Sequence, residues 1–210
     1  MKRLCQIAGI LFLMSLSVVL EAGTADRLRY LGSSCFAMPT GYVRNEGGYF
    51  SDDNHSMGWF SYPVLGKFLE FSGLRHMQGD AKDKNILNLK VNFLEEDEYL
   101  PNLVWGAADV REELGSKIFY VAGSKTFETY GLTIHGGVIK DPITTEKRGY
   151  IAAEKMIMPL VTLAGERFDG KTVLGLKLRP YPGVSVEYAH REGKGITKQA
   201  IYRLVYVKGF

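Results

Sequence analysis

The stretch Leu174-Gly175-Leu176-Lys177-Leu178-Arg179-Pro180-Tyr181-Pro182-Gly183-Val184-Ser185-Val186-Glu187-Tyr188-Ala189 decides the fold class. Leu174, Leu176 and Leu178 alternate with Gly175 and Lys177, and past the turn Val184, Val186 and Tyr188 alternate with Ser185, Glu187 and Ala189. Successive side chains of a strand point to opposite faces, so each half has one apolar face and one small or charged face. Pro180-Tyr181-Pro182-Gly183 between them is turn chemistry, and the whole reads as a β-hairpin.

The same alternation recurs outward from this hairpin. Leu87, Leu89, Val91 and Phe93 alternate with Asn88, Lys90 and Asn92, and Tyr202, Leu204 and Tyr206 flank Arg203. Weaker examples are Ser56–Tyr62, Leu69–Met77, Leu103–Val110, Ser116–Lys125, Thr129–Ile139 and Leu160–Phe168. Gly79-Asp80, Lys82-Asp83-Lys84-Asn85, Pro101-Asn102, Asp169-Gly170 and Glu192-Gly193-Lys194-Gly195 separate them. The pattern predicts an all-β, antiparallel up-and-down meander of about ten strands, with ten to twelve as the range. The one helical candidate, Ile151–Met156, is short and lies in a long connection.

Two architectures share this pattern. A soluble barrel or sandwich turns its apolar face inward, whereas an outer-membrane barrel turns it toward lipid and lines its lumen with the polar set. Aromatic residues near strand ends, among them Trp59, Tyr62, Tyr99, Trp105, Tyr130, Tyr188 and Tyr206, suit the girdles of a membrane barrel. The chain also ends in a strand with a terminal aromatic, Phe210, like the assembly signal of outer-membrane barrels, although Lys208 stands where an apolar residue is usual.

The chain has 210 residues, 46% of them hydrophobic, with 26 Lys and Arg against 23 Asp and Glu. That balance excludes the basic excess a nucleic-acid binder needs. Lys2 and Arg3, the apolar run from Ile7 to Leu20 and the small residues Gly23-Thr24-Ala25 predict a cleavable secretory signal over 1–25. Its removal leaves a net charge of +2 and Cys35 as the sole cysteine, so no internal disulfide can form. The expected division is a signal over 1–25, an entry segment over 26–55 and a barrel over 56–210.

Leu89-Lys90-Val91-Asn92-Phe93-Leu94-Glu95-Glu96, followed by Tyr99-Leu100-Pro101-Asn102-Leu103-Val104-Trp105-Gly106, resembles a family signature of strand, Leu-Glu-Glu, Leu-Pro, strand. Tyr120–Phe127 with Gly131-Leu132-Thr133 and Gly136-Gly137 resembles the next hairpin of that family, and Met38-Pro39-Thr40-Gly41-Tyr42-Val43 with Glu46–Tyr49 its entry motif. Gly165-Glu166, Leu176–Leu178 and Val186–Tyr188 are similar to its closing strands. The family is the YjbH-like group of outer-membrane β-barrels. The resemblance implies a non-enzymatic accessory role in exopolysaccharide biosynthesis or export at the outer membrane, with membrane lipid, exopolysaccharide and periplasmic export proteins as partners. Many members are longer and carry more than one such region.

If the apolar face meets lipid, Lys90, Glu166, Lys177, Glu187 and Arg203 project into the lumen and pair across strands. A sharper reading makes them a polar track for a sugar polymer or a periplasmic partner. About ten strands are too few for an open pore, since aqueous channels are wide in barrels of about sixteen or more. His55, His76, His135 and His190 lack ligand spacing, so no metal or other cofactor is expected. The acidic run Glu95–Glu98 lacks the turning glycine of a cation loop, and Gly193–Thr197 lacks phosphate-loop spacing. Two alternatives stand beside the main reading. One is a lipid-modifying membrane enzyme using His135 and Ser124 in its wall; the other is a soluble periplasmic ligand-binding barrel. With both termini at one end, ten strands starting at Ser56 would leave Gly47–Asp52 as an edge strand, plug or tether. They would also put the long Lys140–Pro159 connection on the periplasmic side, unless it hides two strands near Tyr150–Lys155.

Overall fold

The computed structural model describes residues 36–79, 81–140, 146–193 and 196–208. The expected signal segment, Cys35, Phe210 and the centre of the 193–197 loop lie outside these residues.

Among the described residues, twelve antiparallel strands close into one barrel, each paired with its neighbours in sequence and the last with the first. They are β1 Glu46–Asp52, β2 Ser56–Val64, β3 Leu69–Gln78, β4 Asn85–Leu94, β5 Asn102–Ala108 and β6 Ile118–Phe127. The ring continues with β7 Leu132–Lys140, β8 Lys147–Met158, β9 Val161–Phe168, β10 Lys171–Tyr181, β11 Val184–Gly193 and β12 Ile196–Val207.

The expected count of about ten is therefore corrected to twelve, and the barrel begins at Glu46 rather than Ser56. One added strand is β1, which closes the ring by pairing Glu46 with Val207 and Asp52 with Ile201. The other is β8, a single strand where a pair was considered, and it covers the short helical candidate as well. The even count places the start of β1 and the end of β12 at one rim, and the end of β7 and the start of β8 at the opposite rim.

The walls are inside-out relative to a soluble barrel. Mid-wall side chains such as Phe60, Val121, Ile151, Leu163 and Leu174 are exposed on the outer surface. Charged partners on the other face, including Glu70, Lys90, Glu154 and Arg203, are buried. The soluble-barrel reading required the reverse. Aromatic residues crowd the rim where β1 begins and β12 ends, with Tyr62, Phe68, Phe93, Tyr99, Phe127, Tyr130, Tyr181 and Tyr206 all exposed there. This is the girdle pattern of an interfacial belt.

Glycine serves the wall by accepting rings. Gly106 lies opposite Tyr120, whose ring atoms stand 2.1–2.5 Å from where a Cβ would be. Gly137 lies opposite Tyr150 in the same way, at 2.6–2.7 Å. Each ring lies over a bare stretch of neighbouring strand and fills lumen volume that two ordinary side chains could not share.

Candidate functional site

The lumen contains the chain's own residues 36–45. Phe36, Ala37, Met38, Thr40 and Val43 are buried, and the segment runs along the inside of the wall before turning into β1. Its main-chain polar groups have lost water and must find partners on the wall. The wall supplies them along the whole length.

At the deep end Glu166 on β9 takes three backbone donors: Phe36 N–H at 3.1 Å, Ala37 N–H at 3.1 Å to each oxygen, and Met38 N–H at 3.2 Å. Arg203 on β12 donates to the Phe36 carbonyl at 3.3 Å, and the Lys177 ammonium sits 5.1 Å from the centre of the Phe36 ring. Further along, the Tyr150 hydroxyl donates to the Pro39 carbonyl at 2.8 Å. Gly41 N–H donates to Ser124 Oγ at 2.7 Å, and the Asn102 amide donates to the Gly41 carbonyl. Gly41 has to be glycine: a Cβ there would stand 2.6–2.8 Å from backbone atoms of Ser124, Asn102 and Gly123. Nearest the terminal rim, Lys90 Nζ donates to the Tyr42 carbonyl at 2.9 Å, Arg44 N–H donates to Glu70 at 2.8 Å, and the Tyr42 hydroxyl donates to Glu96 at 2.7 Å. Hydrogen bonds to charged groups contribute about 1.5–3 kcal/mol each and neutral ones about 0.5–1.5, so the segment is held by distributed polar contacts.

The five residues expected to form a polar track all have buried side chains inside the barrel. Three are contiguous: Lys177 lies 3.9 Å from Glu187, which lies 3.4 Å from Arg203, because the ladder pairs Lys177 with Glu187 and Glu187 with Arg203 directly. Arg203 also stacks over Trp59 at 5.6 Å. Lys90 stands apart from that group and pairs with Glu70 at 3.1 Å. Glu166 is devoted to the segment's backbone. Two carboxylates escaped the sequence reading. Glu154 accepts from Lys177 at 3.0 Å on β8, and Glu70 is the partner of Lys90 on β3. The position of Glu70 on the polar side of the Leu69–Met77 alternation was the available signal for it; Glu154 had none, because its strand was not recognised.

Ser124 and His135 do meet, as cross-strand partners on β6 and β7, with Ser124 Oγ 2.6 Å from His135 Nδ1. His135 Nε2 lies 3.5 Å from Glu154 Oε1. The enzyme reading placed this pair in the membrane-level wall; both side chains are 1% exposed and turned into the lumen, and Ser124 Oγ is already engaged by Gly41 N–H. An acyl chain in the bilayer has no access to it.

The acidic run forms the β4–β5 connection. Asp97 accepts from Tyr99 N–H and Leu100 N–H, each at 2.7 Å, and the backbone bond from Leu100, then that from Tyr99, holds its carboxyl below the usual carboxylate range. Lys125 lies 3.4 Å from Glu96 and donates to the Leu100 carbonyl at 3.4 Å, so the run is a structured turn. Among the described residues, no group of three or more His, Cys, Asp or Glu is disposed to hold a metal.

No family model matches the chain, and no curated protein matches it in sequence. Its fold is similar to solved outer-membrane porins. A KdgM porin superposes with a TM-score of 0.58 at 8% identity, covering 80% of this chain and 100% of that one. A KdgM porin in complex with disordered oligogalacturonate gives 0.54 at 10% identity over 80% and 99%, and a NanC porin gives 0.50 at 14% over 79% and 98%. At these identities the likeness is one of architecture: the chain has the closed antiparallel β-barrel fold of these porins.

Proposed function

We propose that the protein is a non-enzymatic outer-membrane barrel that acts as an accessory in exopolysaccharide biosynthesis or export, embedded in lipid and closed at rest. The observation that carries this reading is an apolar outer wall around a lumen already occupied by residues 36–45. A lumen filled by its own chain does not thread a polymer, which favours a scaffolding or partner-binding role over that of the export conduit. The exopolysaccharide connection draws on the sequence resemblance of Leu89–Gly106 and Tyr120–Gly137 to YjbH-like barrels. The lumen is filled by the stopper and by wall side chains that pair with it or with one another, so partners are to be sought at the rims. Deleting the encoding gene should change the amount or size distribution of extracellular polysaccharide, and a plasmid copy should restore it. Unchanged polysaccharide in the deletion strain would rule the role out. Fractionation offers an independent check: the protein should remain in detergent-extracted outer membrane and migrate faster on gels when unboiled.

A further inference from the structure

The geometry points to residues 36–44 being a displaceable gate, and to the barrel conducting small hydrophilic solutes, with cations favoured over anions, when that segment withdraws. The inference rests on the reading of a closed outer-membrane barrel.

Three observations support it. First, the ring closes without the segment. All twelve strands pair with one another and the last pairs with the first, so residues 36–44 contribute no strand to the wall and can leave without opening it. Second, the polar contacts that anchor the segment are of a kind that water can replace. Glu166, Arg203, Lys90, Tyr150 and Asn102 all grip the segment by its main-chain N–H and C=O groups. A hydrated lumen would satisfy every one of these wall groups, whereas an apolar socket would be left bare. Third, the space is sufficient. One extended chain takes up about 5 by 10 Å in cross-section, the spacings between strands and between packed sheets. Its departure leaves a water-filled passage of that order, wide enough for hydrated ions and small polyols and too narrow for a folded polymer.

The selectivity follows from the charges around the segment. Five buried carboxylates, Glu46, Glu70, Glu154, Glu166 and Glu187, face four buried cations, Lys90, Lys177, Arg191 and Arg203. On withdrawal Glu166 loses its three backbone donors and Glu70 loses Arg44 N–H. The passage then carries a net negative field, which attracts cations.

Two full-length variants test the gate by different routes. Gly41→Leu acts on the segment alone and forces a side chain against backbone atoms 2.6–2.8 Å away, leaving the wall untouched. Glu166→Gln acts on the wall and replaces half of the acceptor with a donor facing three N–H groups. Each is purified, confirmed as folded by heat-modifiable gel migration and placed in a planar lipid bilayer. The unsubstituted protein should be closed for most of the record. Either variant should raise the fraction of time open by about tenfold or more, as expected when a closed state loses one strong anchoring contact. The open current should favour potassium over chloride. If both folded variants are as silent as the unsubstituted protein, the segment is a fixed part of the core and the gate is refuted. If the unsubstituted protein conducts continuously, the closed-barrel reading itself falls. Should Gly41→Leu fail to fold, Glu166→Gln carries the same decision.

Discussion

Replacing Lys90 with Met is the most decisive probe of whether the lumen is dry. Met nearly preserves the volume of the side chain and removes its charge, which leaves Glu70 without the ammonium 3.1 Å away. The two side chains are 2% and 1% exposed, so water does not reach Glu70 without rearrangement. Breaking a buried pair by deleting one partner costs about 3–5 kcal/mol, because the remaining charge is stranded, whereas exposed pairs are worth about 0–1 kcal/mol. Loss of the hydrogen bond from Lys90 to the Tyr42 carbonyl adds to the cost and loosens the stopper. The double variant Lys90→Met with Glu70→Gln removes both charges and keeps an acceptor for Arg44 N–H. It should therefore cost less than Lys90→Met alone, with a coupling energy of about 2 kcal/mol or more. Guanidinium unfolding in lipid vesicles, followed by the fluorescence of Trp59 and Trp105, measures all three. If Lys90→Met costs less than about 1 kcal/mol, the pair is screened like a surface pair. The lumen at that level would then be hydrated, contrary to the burial seen here.

Three further outcomes follow from other parts of the molecule. Gly106→Ala places a Cβ 2.1 Å from the Tyr120 ring, so it should destabilise the barrel by about 1–3 kcal/mol, read as a lower unfolding midpoint; a change within about 0.5 kcal/mol would mean that Tyr120 moves aside without penalty. Val121→Arg, at an outward mid-wall position, should cost about 2–4 kcal/mol for folding into vesicles, and a near-zero cost would argue that this wall does not face hydrocarbon. Asp97 has a lowered pKa in the folded protein, so its contribution to the β4–β5 turn is present above the ordinary aspartate value of about 3.9 and is lost as pH falls through the lower folded value. Protection of the Tyr99 and Leu100 amides, taken as exchange relative to the intrinsic rate at each pH, should therefore persist at pH 5 and fall only in strong acid, and loss of protection already near pH 5 would contradict that assignment.

The alternation of Leu174–Ala189 and Leu87–Phe93 was enough to establish strands, their antiparallel order and the set of side chains that share one face, because period two is a geometric property of the strand. The two strands that went uncounted lack that contrast. On β1, Gly47 and Gly48 supply no side chain to either face. On β8 the outward Lys147, Gly149 and Ala153 are no more apolar than the inward Tyr150 and Ala152. Parity drew attention to the Lys140–Pro159 connection but suggested two strands in it, whereas the even count is met by the single strand β8 together with β1. The pairing of Ser124 with His135 could be anticipated from adjacent strands, but the face they share could not. Alternation fixes which residues lie together without saying on which side of the wall.

The stopper was illegible for a different reason, which also explains why the lumen is not uniformly polar. Inward positions include Phe50, Trp59, Val104, Ile139 and Phe168, all buried, and a water-filled channel lined by them would expose apolar surface at about 25 cal/mol per Å². The segment covers them on two sides. Phe36 packs into a cluster with Phe50, Met57, Trp59 and Ile201, while Ala37 and Met38 join a second with Val104, Tyr120, Ile139 and Phe168. The polar partners of the segment are interleaved with these clusters, so each strand alternation looks ordinary when read alone. Only closure of the ring brings β5, β9 and β12 to face the same ten residues, and only then does a Glu166 carboxylate separated by about 130 positions in sequence become the acceptor for Phe36, Ala37 and Met38. A lumen built this way is more stable filled than empty by its apolar clusters and can be rehydrated through its charges, and that combination lets one segment act as both core and closure.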